Sequence, residues 1–252
     1  MTAEELARRL DRELKPEAFR DDSHNGLQVA NSGRPVRKVA VGVDASAAFF
    51  DAAAEAGADF LICHHGVSWG ESLARLTGMT WRRVRLLFER DMALYASHLP
   101  LDAHPRLGNN AQIARALGLR RLRPFGLYHG NRIGVMGETA TAVSYERFLR
   151  QVEHRFGGPV QSMAFGPKRI QRVAVVSGGG ADLLAEAAEA GADLFLSGEP
   201  RLSAWHTAKE LGLHAVFAGH YATETFGVKA LAQWVTRQTG LPTLFIPEAI
   251  PY

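Results

Sequence analysis

Two histidines stand side by side at His64 and His65, and two others are each followed four positions later by a carboxylate, His98 by Asp102 and His220 by Glu224. Imidazole nitrogen and carboxylate oxygen are the donors that divalent transition ions take up. One open catalytic ion uses about three protein ligands, so the set His64, His65, Asp102, His220 and Glu224 suffices for two ions if a carboxylate bridges them. Two ions at about 3.5–4 Å carry water or hydroxide on their open positions, and the chemistry to expect is hydrolysis. His98 is a sixth candidate, as a proton-transfer group or a support behind the ligands; a satisfied core histidine is its plain alternative. Glu199 and His206 are further candidates, for contact with a substrate.

Each of these residues has an ordinary reading on its own. Asp102 suits a turn, and Glu224 suits the first turn of a helix, where a carboxylate offsets the dipole. His64 and His65, as neighbours on an extended segment, point to opposite sides. They reach one cleft only if the chain turns at Gly66, or else each serves a different ion.

An internal repeat makes the set informative. Residues 39–66 and 173–200 align without a gap, with eleven of the 28 positions identical, among them the run AEAGAD. At a slightly different offset ALYASHLPLD (93–102) aligns with AVFAGHYATE (215–224), which sets His98 on His220 and Asp102 on Glu224. The chain is expected to form two pseudo-symmetric α/β lobes by duplication, with a metal site in the cleft between them. The expected organisation is a single domain over 1–252, repeat units at about 39–118 and 173–239, and a middle segment 121–169.

The elements that must position these residues follow from periodicity. In the first repeat the pattern predicts strands over 39–44, 59–63 and 92–97 and helices over 46–56, 81–90 and 109–118, the last with an asparagine cap. In the second it predicts strands over 170–177, 193–197 and 214–218 and helices over 181–190, 203–211 and 223–238. The middle segment carries strands at 131–137 and 159–165 around a helix at 143–156. Alternation of this kind argues for parallel sheets, whose usable crevice lies beyond the carboxyl ends of the strands. His64, His65, His98 and His220 all fall there. The loop SGGG (177–180) is a tight turn or a phosphate cradle, and it matches neither common phosphate-loop pattern.

The totals exclude several classes. No run approaches the roughly 18 apolar residues of a membrane span, and MTAEELARRLDREL at the start is a polar amphipathic helix, unlike a secretory signal. Cys63 is the single cysteine, which points to a reducing cytoplasm without disulfides. The net charge is +3, and clusters at Arg82, Arg83 and Arg85 and at Arg120, Arg121 and Arg123 are solvated faces or an anion-attracting surface.

The segments NGLQV (25–29), CHHGVSWGE (63–71), SHLPLDAHPRLGNNAQIARALG (97–118), SGEPRLSAWH (197–206) and GHYATE (219–224) together resemble the NGG-interacting-factor-like family of GTP cyclohydrolase I type 2 homologues, in its short bacterial form. The resemblance implies a dinuclear metal centre in a toroidal homohexamer. Carried over by motif, the family's ligands fall on His64, His65, Asp102, His220 and Glu224, with two divalent ions per subunit drawn from zinc, iron, manganese or nickel. The function expected is that of a metal-dependent hydrolase, cyclohydrolase-like or phosphoesterase-like, acting on a small molecule such as a nucleotide. The alternative is a non-enzymatic ring-shaped metal-binding adaptor, with nucleic acid as a further partner to test.

Overall fold

The computed structural model describes residues 1–71 and 73–251, and it resolves into two compact units. The first contains Met1–Leu101 and Val228–Ala249; the second contains Asp102–Gly227 and the residues from Ile250.

The first unit opens with α1 (Ala3–Leu14), whose leucines at 6, 10 and 14 form one buried stripe. Its start is fixed by a capping box: Thr2 accepts from the Glu5 backbone while the Glu5 side chain accepts from the Thr2 backbone. Then come β1 (Gly26–Val29), β2 (Val39–Asp44), α2 (Ala47–Glu55), β3 (Phe60–His65), α3 (Gly78–Glu89) and β4 (Ala93–Ala96), and the chain leaves the unit within α4 (Leu99–Ala103).

The second unit continues with α5 (Asn109–Ala116), β5 (Arg120–Tyr128), β6 (Asn131–Ser144), α6 (Tyr145–Phe156), β7 (Gln161–Ala164) and β8 (Arg169–Val175). A 3-10 turn over Gly180–Leu183 leads into α7 (Leu184–Glu189), and β9 (Leu194–Ser197), α8 (Leu202–Leu211) and β10 (His214–Phe217) follow. The helix α9 (His220–Thr239) begins in this unit and passes at Val228 into the first, where β11 (Thr243–Phe245) completes the sheet.

The sheets are mixed, which corrects the all-parallel expectation. The first is ordered β1-β4-β3-β2-β11 and the second β5-β6-β8-β9-β10-β7. The repeat-derived strands β2, β3, β4 and β8, β9, β10 run parallel, as alternation with helices requires. The additional strands β1, β5, β6 and β7 pair antiparallel. The segment 121–169 is therefore built into the second sheet, supplying β6 beside β8 and β7 beside β10. No local periodicity announces that pairing, because the partners lie far apart in sequence.

The registers agree between units where the alignment has no gap. Val39 pairs with Phe60 as Val173 pairs with Leu194. The shared Asp of AEAGAD explains part of that identity. Asp59 accepts from the backbone N–H groups of Arg37 and Lys38, and Asp193 accepts from those of Gln171 and Arg172. Each carboxylate thus anchors the entry of one strand to the start of the next. At the third strand the register departs from the sequence alignment. Phe60 pairs with Ala93, whereas Leu194 pairs with His214. The counterpart of His98 is consequently Gly219, one residue before His220.

The repeat boundaries and the compact units also differ. Helix α5, which the repeat assigns to the first half, contributes Ala111, Ile113, Ala114 and Leu117 to the core of the second unit, against Phe148, Val173, Val175 and Leu196. A buried apolar face goes where it is covered, whatever its ancestry in the chain. The first unit's core gathers Phe49, Phe50, Leu61, Leu87 and Leu94.

The arginine clusters are surface features. On α3, Arg82 and Arg85 are exposed and Arg85 pairs with Glu89 at 3.5 Å. On β5, Arg121 pairs with Glu138 at 3.2 Å, and Arg123 donates to the Ala190 carbonyl.

Candidate metal centre

The strand β3 runs on through both histidines instead of ending at Cys63, and the turn follows at Gly66. Its fully buried sequence Phe60–His64 is that of a central strand covered on both faces. His64 and His65 nevertheless converge, with ring centroids 4.8 Å apart. Their Nδ1 atoms are drawn to opposite neighbouring strands. His64 Nδ1 lies 2.8 Å from the Ser97 carbonyl just past β4, and His65 Nδ1 lies 2.8 Å from Asp44 Oδ1 at the end of β2. The convergence therefore needs no break in the strand.

A carbonyl oxygen only accepts, so His64 carries its ring proton on Nδ1 and its Nε2 keeps the lone pair. The Asp44 carboxylate enforces the same tautomer on His65. Both rings are held in the form in which imidazole ligates through Nε2.

The turn after the histidines is tied down by the NGLQV segment. Gln28 Oε1 accepts from Val67 N and Ser68 N, at 2.8 and 3.0 Å. Gly66 has to be glycine, because a Cβ there would meet the Gln28 amide and the Ala96 methyl. Asn25 Oδ1 accepts from His98 N at 2.7 Å. Trp69 donates from Nε1 to the Gly66 carbonyl at 2.8 Å, and its ring stands edge-on to His98 with centroids 4.9 Å apart.

His98 is partly exposed, and its Nδ1 lies 2.9 Å from Asp21 Oδ1. Burial raises the Asp21 pKa, but the hydrogen bond from His98, with those from Asn25 and Ser23, outweighs it and brings the value down to about 2. His64, His65 and His98 each offer a nitrogen within 4.8 Å of the other two.

In the second unit Asp102 is buried, and its Oδ1 accepts from Ser177 Oγ and from Asn109 Nδ2, both at 2.9 Å. The pair Asn109–Asn110 is not the expected cap of α5, whose cap position is Gly108. Both asparagines are buried and serve as braces. Asn109 Oδ1 accepts from Gly227 N at 2.6 Å, and Asn110 bonds the Asp102 and Ile133 carbonyls and the Ser177 N–H.

His220 and Glu224 sit one turn apart on α9, which starts at His220 and not at the expected residue 223. At this spacing both side chains share a face. His220 Nε2 is 3.1 Å from Glu224 Oε1, and its Nδ1 is 3.3 Å from Glu199 Oε2. The Glu224 hydrogen bond, with the charges of Glu224 and Glu199, overcomes burial and lifts the His220 pKa to about 9.

The SGGG loop packs against this pair. Gly178 adopts φ +60°, and a Cβ on it would meet Glu224 Oε1 and lie 3.0 Å from His220 Nε2. The loop is thus a close-packed turn beside the donors, with Gly178 N donating to Thr223 Oγ1 at 3.0 Å. His206 is exposed on α8 and belongs to neither donor set among the described residues. Glu199 reaches the site through His220.

Sequence reasoning passed over Asp21, Asn25, Gln28, Asp44, Asn109, Asn110 and Ser177. Asp44 carried a usable signal, a carboxylate ending a strand beside the histidine strand. Asn25 and Gln28 lay in a quoted motif whose task becomes visible only in three dimensions. The nitrogen and oxygen donor set, with imidazole tautomers fixed by acceptors, suits a divalent transition ion.

The family model described as Duf34/NIF3 (NGG1p interacting factor 3) matches residues 1–250. A Deinococcus radiodurans protein named GTP cyclohydrolase 1 type 2 homolog is 44% identical over 243 residues, 96% of this chain and 92% of that protein. A Thermus thermophilus protein of solved crystal structure superimposes with a TM-score of 0.92 at 39% identity, covering 100% of both chains. Reduced HcgD from Methanocaldococcus jannaschii gives a TM-score of 0.85 at 27% identity, covering 98% of each.

Proposed function

The chain belongs to the Duf34/NIF3 family, and we propose that it is a metal-dependent hydrolase whose two donor sets form one dinuclear centre acting on a purine nucleotide. His64 and His65 supply imidazoles from the first unit. Asp102, His220 and Glu224 complete the ligands from the second. These residues would hold divalent ions, zinc, iron, manganese or nickel, whose chemistry would be to lower the pKa of a bound water.

The observation that carries this reading is the anchoring of Nδ1 in both His64 and His65 by an oxygen acceptor, which leaves Nε2 as the ligating atom. Ser177 and Asn109 act on Asp102 in the same way, fixing the direction of the carboxylate through one oxygen. Ligation by His220 would release its shared proton to solvent. The nucleotide follows from the name that relatives such as the Deinococcus protein carry.

The test is to strip the protein with a chelator, reload it with each metal separately, and measure bound ions and turnover of GTP, other nucleotides and simple phosphoesters. Two ions per chain and nucleotide hydrolysis are expected, with Asp102→Ala and His64→Ala lowering turnover by about 10²-fold or more. Full turnover in either variant contradicts the reading. Stable metal binding without turnover of any substrate favours the adaptor alternative.

The functional form is proposed to be a homohexamer in the cytoplasm. No helix among the described residues is long and apolar enough to cross a membrane. Large apolar side chains stand exposed on α3 (Trp81, Phe88) and α8 (Trp205, and Leu202 at 92% exposure), which supports burial between copies. Light scattering on purified protein is expected to give six copies, and a monomer at micromolar concentration contradicts it.

A further inference from the structure

We propose that the cavity walled by β5, β6 and α7 binds a free amino acid with an apolar side chain, its carboxylate on Arg123 and its ammonium on Glu189. No residue of this cavity belongs to either donor set, and the proposal stands apart from the metal-centre reading.

The strand pairing builds the site. In the β5–β6 hairpin Arg123 pairs with Met136 and Leu127 with Arg132. Alternation along each strand then puts Arg123, Phe125, Arg132 and Met136 on one face. On α7, Glu186 and Glu189 are three positions apart and share a side. With Pro124 and Ala190 these residues line a cavity of about 510 Å³, a size common among small-molecule sites. Phe125 and Met136 are buried and give it an apolar floor.

The charges decide the ligand. Glu186 is already committed: its Oε2 accepts from Leu127 N at 3.0 Å, and its Oε1 lies 3.4 Å from Arg132 Nη1. Arg123 and Glu189 have no ion-pair partner among the described residues. Arg123 rests on neutral atoms instead, its Nη2 donating to Met136 Sδ at 2.9 Å and to the Ala190 carbonyl at 3.4 Å. A thioether is a weak acceptor, so the guanidinium keeps donors for a carboxylate. Glu189 ends α7, where the dipole disfavours a carboxylate, so helix stability does not account for it. One uncommitted cation and one uncommitted anion beside an apolar floor match the two ends of a zwitterion and its side chain. A nucleotide would bring its phosphates against Glu186 and Glu189.

The test is calorimetric titration of the full-length protein with L-phenylalanine and L-leucine. One saturable site per chain is expected, and glycine, without the apolar side chain, is expected to bind at least about tenfold more weakly. L-Phenylalanine amide lacks the carboxylate and N-acetyl-L-phenylalanine lacks the ammonium; each is expected to lose about tenfold or more. Arg123→Gln and Glu189→Gln, both at exposed positions and checked for an unchanged melting curve, are expected to lose as much. Arg123→Gln is further expected to bind phenylalanine and its amide alike, and Glu189→Gln to bind phenylalanine and its acetyl derivative alike. His64→Ala is expected to leave the binding as it is, which separates this cavity from the metal centre. The proposal is overturned if no amino acid binds, or if inorganic phosphate displaces phenylalanine. It is overturned equally if the amide or the acetyl derivative binds as tightly as the amino acid, which would assign the cavity to a peptide end. Loss of binding in His64→Ala, with Arg123→Gln unaffected, would place the amino acid at the histidines and overturn it as well.

Discussion

At the level of single residues, the site depends on groups that touch no ion themselves. Asn109 links Asp102 to the α9 backbone at Gly227, and Ser177 donates to the same carboxylate oxygen. Loss of either would let Asp102 rotate away from the direction proposed for ligation. Asn109→Ala and Ser177→Ala are each expected to weaken metal binding by about tenfold to a hundredfold, measured by competition with a chromophoric chelator. Unchanged affinity in both would show that the bonds are incidental. The place of His64 and His65 at the end of a strand, and of His220 just beyond one, was legible in the sequence. The braces were not. Asparagine and serine are common in loops and first helical turns, and only tertiary geometry separates a brace from a cap.

Elements tell a similar story with a different limit. The apolar runs of β2, β3, β8, β9 and β10 could be read from residue type, because covered parallel strands are apolar throughout. The antiparallel additions β1, β5, β6 and β7 could not, as their partners are set by long-range pairing. The alignment that set His98 on His220 slipped by one residue, and the strand register exposes the slip. The AEAGAD aspartates are the device that fixes the strand entries. Asp59 is 1% exposed and accepts from two backbone N–H groups, so Asp59→Ala strands buried donors and is expected to cost about 3 kcal/mol in denaturant unfolding. Asp193→Ala, at a less buried position, is expected to cost less. Equal and negligible losses would refute this role.

The β7–β10 pair contains a pH-dependent element. His214 Nδ1 accepts from Gly166 N–H at 3.2 Å, and its Nε2–H donates to the Pro167 carbonyl at 2.8 Å. A second ring proton would point at a donor. Burial lowers the His214 pKa from the ordinary 6.5, against the opposing pull of the Pro167 carbonyl and the charges of Glu146 and Asp193. The unfolded chain therefore takes up the proton first. Stability from this group is complete above about pH 6.5 and falls as the pH drops below it, until the folded ring is protonated as well. Melting temperatures from roughly pH 7 to 5 are expected to decline more steeply in the unaltered protein than in His214→Gln. Parallel curves would assign the decline to other groups.

For the molecule as a whole, the proposed metal binding would contribute to its stability. An ion bound to the folded chain alone stabilises it by mass action, about 2.7 kcal/mol at a hundredfold excess over the dissociation constant. Chelation is expected to lower the melting temperature, and graded addition of zinc or manganese to restore it in a concentration-dependent way. A melting curve indifferent to chelator would mean that the folded chain does not hold the ion. The bounds of the two units escaped sequence analysis because α5, from the first repeat, packs into the core of the second unit, and α9 passes from the second unit into the first at Val228.

The most direct measurement is anomalous diffraction at the metal edge from crystals of the full-length protein loaded with manganese or zinc. Two peaks per chain are expected, contacted by His64, His65, Asp102, His220 and Glu224. Density with no anomalous signal beside these side chains, under conditions that saturate the metal, would contradict the account.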